Sequence, residues 1–166
     1  MKDGFIQQIG TPQQVFEHPE NVFVAGFIGT PQMNFFQAKL VKASENAYYA
    51  EVFGTVITLS EKTQKALAEN AAETGTVIFG IRPEHIRFAT ADSENVLSGS
   101  VEVSEMMGSE YYLHVTCNGQ DVILRVPTSD LPEALRGGIN YGTEIKFTFR
   151  SDAIHLFHPE TEQNFI

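Results

Sequence analysis

The spacing of apolar and polar positions changes character near Phe35. Before it, short helical signals alternate with breakers. Thr11-Pro12-Gln13-Gln14 places a hydroxyl at an N-cap, proline at the first helical position and glutamine at N3, which predicts a capped short helix ending before Pro19. Ahead of it, Asp3-Gly4 predicts a turn entering a strand. After it, Asn21 is placed to cap a second helix, in which Phe23, Val24, Phe27 and Ile28 share one apolar face. Gly29 ends that helix and Pro31 prevents its resumption. A fragment of about thirty residues is too small to bury these rings on its own. Some other surface must cover them.

From Phe35 onward the period is 2. FQAKL alternates, YYAEVFGTVITL is strand-like with Gly54 as a turn or bulge, and TVIFGIR runs apolar up to Pro83. Between the last two lies SEKTQKALAENAAETG, a predicted helix with Ser60 as N-cap and Gly75 as its stop. A polar connector at residues 89–95 is followed by VLSGSVEVSEMMG and by EYYLHVTCNGQDVILRVP, where Asn118-Gly119 signals a hairpin. INYGTEIKFTFR and DAIHLFHPE are expected to form a further strand pair. Many short strands with few helices predict a mainly β chain of small barrels or a sandwich. The connector splits the β region into halves too small to be more than marginal alone.

Charge narrows the partners. Eleven Lys and Arg stand against 21 Asp and Glu, spread along the chain for a formal net charge of -10, so no cationic groove for nucleic acid is expected. A single cysteine, Cys117, gives no intramolecular disulfide and makes the cytoplasm the default. MKDGFIQQIG does not read as a secretion signal. The uncharged run between Glu20 and Lys39 is broken by Gly26, Gly29 and Pro31, short of the roughly 20 apolar residues a bilayer requires.

Catalytic chemistry finds little support. Gly75 and Gly80 have the outer spacing of a phosphate loop, but Ile81-Arg82 follows where Lys and then Ser or Thr are needed. His155 and His158, near Glu160, fall on opposite faces of a strand unless a turn intervenes, which disfavours a shared metal. His85 and His114 read as surface or hydrogen-bonded residues. Glu105 and Glu110 flank a turn and are the best candidates for an acid-base pair, with no nucleophile or cofactor loop to serve. Met106, Met107 and one of Tyr111 and Tyr112 form a candidate partner patch, weighed against ordinary barrel packing.

Three segments carry a family resemblance: MKDGFIQQIGTPQQVFEHPENVFVAGFIGTPQMNFF, FGIRPEHI and, more loosely, VEVSEMMGSEYYLHV. They resemble the ATP-binding subunits of bacterial ABC sugar importers of the maltose, multiple-sugar and glycerol-phosphate type. The resemblance implies tandem oligonucleotide-binding-like (OB, MOP/TOBE-type) barrels preceded by a strand-helix-helix remnant of an α/β ATPase domain. Residues 1–34 would be the tail of the nucleotide-binding domain, 35–90 a first OB-like subdomain and 91–166 a second, TOBE subdomain, with strands exchanged between the two. Walker A, signature, Walker B and switch histidine are missing from the sequence. Leu97-Ser98-Gly99-Ser100 begins like the signature but lacks its second Gly and its Gln. The resemblance therefore implies no ATP, magnesium or catalysis in this chain, which reads as a C-terminal fragment or a truncated reading frame.

It further implies a regulatory and dimerising role at the inner face of the cell membrane. The expected partners are a second copy through the β-rich region, transmembrane subunits through the missing ATPase domain, and a regulatory protein. The alternative is a TOBE-type module binding an oxyanion or sugar, with Ser98 to Ser100 or Ser109 as donors. Candidate interface residues are Phe23, Phe27, Arg82, Glu84, His85, Met106, Met107, Tyr111 and Tyr112.

Overall fold

A computed structural model describes residues 1–166. Helix α1 (Pro12–Glu17) begins with the predicted capping box: the Gln14 amide N–H donates to Thr11 Oγ1, and Gln14 Oε1 accepts from the Thr11 amide. Helix α2 (Val22–Phe27) is capped by Asn21, whose Oδ1 accepts from the Val24 N–H at 3.0 Å. No strand follows Asp3-Gly4. Lys2 and Phe5 close a tight turn, and the chain then runs without ladder partners up to α1.

Ten strands form two five-stranded sheets. The first sheet contains β1 (Asn34–Ser44), β2 (Ala47–Val52), β3 (Thr55–Thr58) and β4 (Gly75–Ile81), and the second contains β5 (Ile86–Phe88), β6 (Leu97–Met107), β7 (Glu110–Cys117), β8 (Gln120–Pro127) and β9 (Glu144–Phe149). The last strand, β10 (His155–Phe157), crosses back to the first sheet and pairs with β4, giving the order β10-β4-β1-β2-β3. The second sheet runs β5-β9-β6-β7-β8. The expected pairing of the last two strands does not occur: β9 lies between β5 and β6, and the turn Ser151–Ala153 sends β10 across to β4.

Period 2 shows directly in β1, where Phe36, Ala38 and Leu40 are buried and Gln37 and Lys39 exposed. Asn118 at φ 49° and Gly119 at φ 75° make the two-residue turn between β7 and β8, and Phe53 with Gly54 repeats it between β2 and β3. Helix α3 (Glu61–Glu69) has the predicted Ser60 cap but stops before Gly75. Ala71 takes the left-handed conformation at φ 49°, and Ala72 N–H donates to Leu67 C=O and Ala71 N–H to Ala68 C=O, a Schellman closure on alanine that leaves Gly75 to open β4.

Twenty-nine buried residues from both sheets form one continuous core. Phe149 of β9 stands 5.4 Å from the ring of Phe79 and 6.5 Å from that of Phe36, so aromatic packing crosses between the sheets. Helix α2 lies on a smaller cluster in which Ala25 meets Met33 and Phe157. The predicted face of that helix is divided. Val24 and Ala25 are buried, while Phe27 is 73% exposed and stacks on Phe23. The barrel offers Phe35, Met33 and Phe157 to one side of the helix, while Phe27 on the other side borders a cleft with Met1, Gln7 and Val15.

Candidate functional site

The segment from Phe79 to Ile86 joins the two sheets: it ends β4, turns at Pro83–His85 and enters β5. Proline at the next position holds Arg82 extended, at φ -75° and ψ 146°. Its side chain leaves the sheet and reaches the leading helices. Nη1 donates to Ile28 C=O at 2.6 Å, Nη2 donates to Phe16 C=O at 2.7 Å, and the guanidinium lies 3.8 Å from the centre of the Phe16 ring. Both accepting carbonyls lie at helix ends, where intrahelical donors run out. Gly29, at φ +116°, makes room for this: a Cβ there would stand 3.0 Å from Nη1.

A second tie comes from the end of the chain. Asn164 donates through Nδ2 to Pro19 C=O and through its backbone N–H to Glu20 C=O, while Val22 N–H donates to Glu162 C=O. Asn164 Nδ2 also lies 3.3 Å from His155 Nδ1. A third tie joins the sheets: Asn34, buried on β1, accepts from Ile123 N–H of β8 at 2.8 Å and donates to the C=O groups of Ile123 and Ile81. The leading helices, both sheets and the closing segment are therefore bound by the buried side chains of Arg82 and Asn34 and the half-buried one of Asn164, whose loss would leave backbone groups unpaired.

Arg82 and Glu84 are candidate interface residues of the sequence, and the structure puts Arg82 inside the junction of the two sheets. Arg82 is 1% exposed and donates only within the chain. Burial lowers its pKa, opposed by Glu84. His85 is half-buried, with Nδ1 enclosed and unpartnered, so it is neither a surface nor a ring-bonded residue at that atom. Burial pushes its pKa down, Arg150 and Arg82 push the same way, and Glu84 and Asp152 oppose.

His155 is buried on β10, and its pKa falls to about 4 through burial and the nearby positive charges of Arg82, His18, His85 and Lys62. In the unfolded chain it protonates near pH 6.5, whereas the folded chain does not take that proton until about pH 4. Stability is therefore lost as pH falls from 6.5 towards 4 and is unaffected by this residue above that window, an effect of about 3 kcal/mol. Urea melts of the wild type and of His155→Asn across pH 4–7 check this. The variant should show the shallower acid decline, and parallel declines would contradict it.

The other candidates separate. Met106 faces Tyr111 across β6 and β7, while Met107 faces Glu110 on the opposite side of the sheet, so the two methionines do not share one patch. Both are exposed, and Tyr111 packs on the core. Glu110 accepts two N–H bonds from Arg125, at 2.9 and 3.1 Å, which commits it to an ion pair and away from acid-base work with Glu105. That pair, Glu84 and Phe88 line a cavity of about 590 Å³ beside β5 and β8. Ser98 to Ser100 lie in β6, where a Cβ on Gly99 would come within 2.6 Å of Val115 and 2.7 Å of Thr116 C=O, a close contact on the inner side of the strand, while Ser98 is exposed. His158 Nδ1 accepts from the N–H groups of Glu160 and Thr161, and His114 lies 3.1 Å from Asp121. Cys117 is buried, and burial raises its thiol pKa.

Two family models divide the chain at this junction. The MalK OB fold domain matches residues 29–86 and the TOBE domain matches residues 79–157, so their overlap is the segment that carries Arg82 and His85. The chain carries a MalK-type OB domain and a TOBE domain. It is similar to the oligosaccharides import ATP-binding protein MsmX of Bacillus subtilis, 39% identical over 98% of this chain and 42% of that protein. The multiple sugar-binding transport ATP-binding protein MsmK of Streptococcus mutans is 33% identical over 96% of this chain and 40% of its own length. The sn-glycerol-3-phosphate import ATP-binding protein UgpC of Chromobacterium violaceum is 33% identical over 98% and 40%. The chain thus spans about two fifths of the length of these relatives. The cytoplasmic molybdate-binding protein ModG, solved with molybdate, shares the fold at TM-score 0.54 and 14% identity, over 76% of this chain and 96% of that one. No helix is long and apolar enough to cross a membrane.

Proposed function

We propose that this chain is the regulatory and dimerising part of a sugar importer's ATP-binding subunit, acting mechanically and without nucleotide chemistry of its own. The observation that supports this best is the Arg82 tie, because it fixes the segment resembling the end of an ATPase domain to the junction of the two barrels. Motion of an attached domain would pass into both sheets together, since β10 and Asn34 join them. The exposed rings of Phe5 and Phe27 face away from the barrels and suit the body of that domain, through which transmembrane subunits would be engaged at the inner membrane face. The domain limits follow the same reading, with 1–34 as the leading segment and 35–90 and 91–166 as subdomains that exchange strands.

Pairing of two such chains would keep two catalytic domains at high effective concentration as they open and close. The β-rich region supplies the contact in this reading, with Met106 or Met107 and Tyr112 as candidates, and Glu84 as a further candidate for a regulator. Sedimentation of the purified chain at rising concentration tests the role. A dimer that persists when Phe27→Ser removes the leading-helix ring supports it, and a monomer at high concentration removes it. Micromolar ATP binding would overturn the division of labour.

A second reading, a module binding a small oxyanion or sugar, is favoured by the two open clefts of about 590 and 360 Å³.

A further inference from the structure

A second cavity, of about 360 Å³, lies where the end of α1, the first turn of α3, the Arg82–His85 junction and the β9–β10 connection meet. Its lining differs from the rest of an acidic molecule. Lys62, Arg82 and Arg150 bring permanent positive charge to it, and His18, His85 and His155 add three imidazoles. The carboxylates in the wall are Glu17 and Asp152. Asp152 is taken by Arg150, at 2.6 and 3.1 Å, and Glu17 accepts from Gln13 on the helix surface at 3.0 Å.

Arg82 and Lys62 have no carboxylate within ion-pair distance, and the only acidic charge that acts on Arg82 is the more distant Glu84. For Lys62, exposed at the rim, this costs little. For Arg82 it matters: a guanidinium 1% exposed is ordinarily matched by a carboxylate or phosphate, and here it has two carbonyl partners and an Nε that donates to nothing. His85 Nδ1 is likewise enclosed and unpartnered in the same wall. Two residues that each hold an idle buried nitrogen, one of them a permanent cation, thus line one cavity.

We propose that this cavity binds a small anion bearing a phosphoryl group, which supplies the close counter-charge that Arg82 lacks. Lys62 would close over the anion from the rim, and the His85 ring would turn its Nδ1 proton towards it. The volume falls at the lower end of the usual range for ligand sites, about 300–1,000 Å³, which leaves room for a phosphorylated polyol or sugar beside the phosphoryl group. Bound there, the anion touches the leading helix, α3 and the connection to β10 at once, and stiffens the tie between the leading segment and the barrels. Its regulatory meaning rests on the coupling role proposed above, whereas its binding does not.

The test is calorimetric titration and thermal melting of the purified chain at fixed ionic strength, with inorganic phosphate, glucose 6-phosphate and unphosphorylated glucose. Saturable binding of either phosphate compound, with a raised Tm and no response to glucose, is the expected result, and the stronger of the two identifies the source. Lys62→Ala, at an exposed position, should melt like wild type without ligand yet bind at least about tenfold more weakly. His85→Asn should bind more weakly as well. The proposal is overturned if neither phosphate compound shifts Tm beyond a chloride control, or if both variants bind like wild type. A dimer that binds no anion would refute the site alone, and a monomer that binds one would refute only the pairing role.

Discussion

Arg82→Met should release the two leading helices while both sheets stay folded. The carbonyls of Ile28 and Phe16 would each lose a charge-assisted donor and stay near the barrel surface unpaired. At about 1–3 kcal/mol for each such group, the attachment weakens by about 3–4 kcal/mol. Apolar replacement of a buried charge is sometimes neutral, but only when its partners are replaced with it, and backbone carbonyls cannot be. The stacking of Phe16 on the guanidinium is lost too. Limited proteolysis should then cut between Pro12 and Ile28 at rates where the wild type resists, with the circular dichroism of the sheets retained. Equal protease resistance in the variant would contradict the assignment.

Phe157→Ala should have an effect of similar or greater size on the whole molecule. Phe157 is fully buried on β10 and meets Ala25 of α2, Met33 and Phe35, so it holds the crossing strand and the leading helix together. The fit is close enough that a Cβ on Gly80 would come within 2.9 Å of its ring. Removing that ring leaves a cavity at the meeting point of three segments, at about 3–5 kcal/mol. An unfolding free energy from chemical denaturation lowered by less than about 1 kcal/mol would show that β10 is peripheral, against the topology.

Much of this was legible before any coordinates. Thr11, Asn21 and Ser60 announce helix starts because a cap is a local bond between residues three apart. Asn118-Gly119 and the alternation from Phe36 to Leu40 act over equally short distances. The errors share a cause. The sequence of DAIHLFHPE does not record that its partner is β4, some seventy-five residues earlier, and adjacency to β9 suggested a false pair. Ala71 replaced glycine at a helix end, so Gly75 drew attention away from the true stop. At the site, Arg82 and Glu84 of FGIRPEH are read as candidate interface residues, and no periodicity reveals that the Arg82 side chain turns to the carbonyls of Ile28 and Phe16. Asn34 carries no signal in the sequence because a buried polar residue in an apolar strand looks like an ordinary exception until its long-range partner is seen, and the Asn164 tie to Pro19 and Glu20 spans almost the whole chain.

Native-state hydrogen exchange tests the central claim most directly, that the leading helices and both barrels form one mechanical unit. The amides of His18, Ala25 and Ile28 should be protected and should join the exchange isotherm of β4 as denaturant rises, unfolding with it as one body. Exchange of those amides at nearly unprotected rates, while β4 and β7 remain protected, would show the helices to be a loose appendage and would contradict the account.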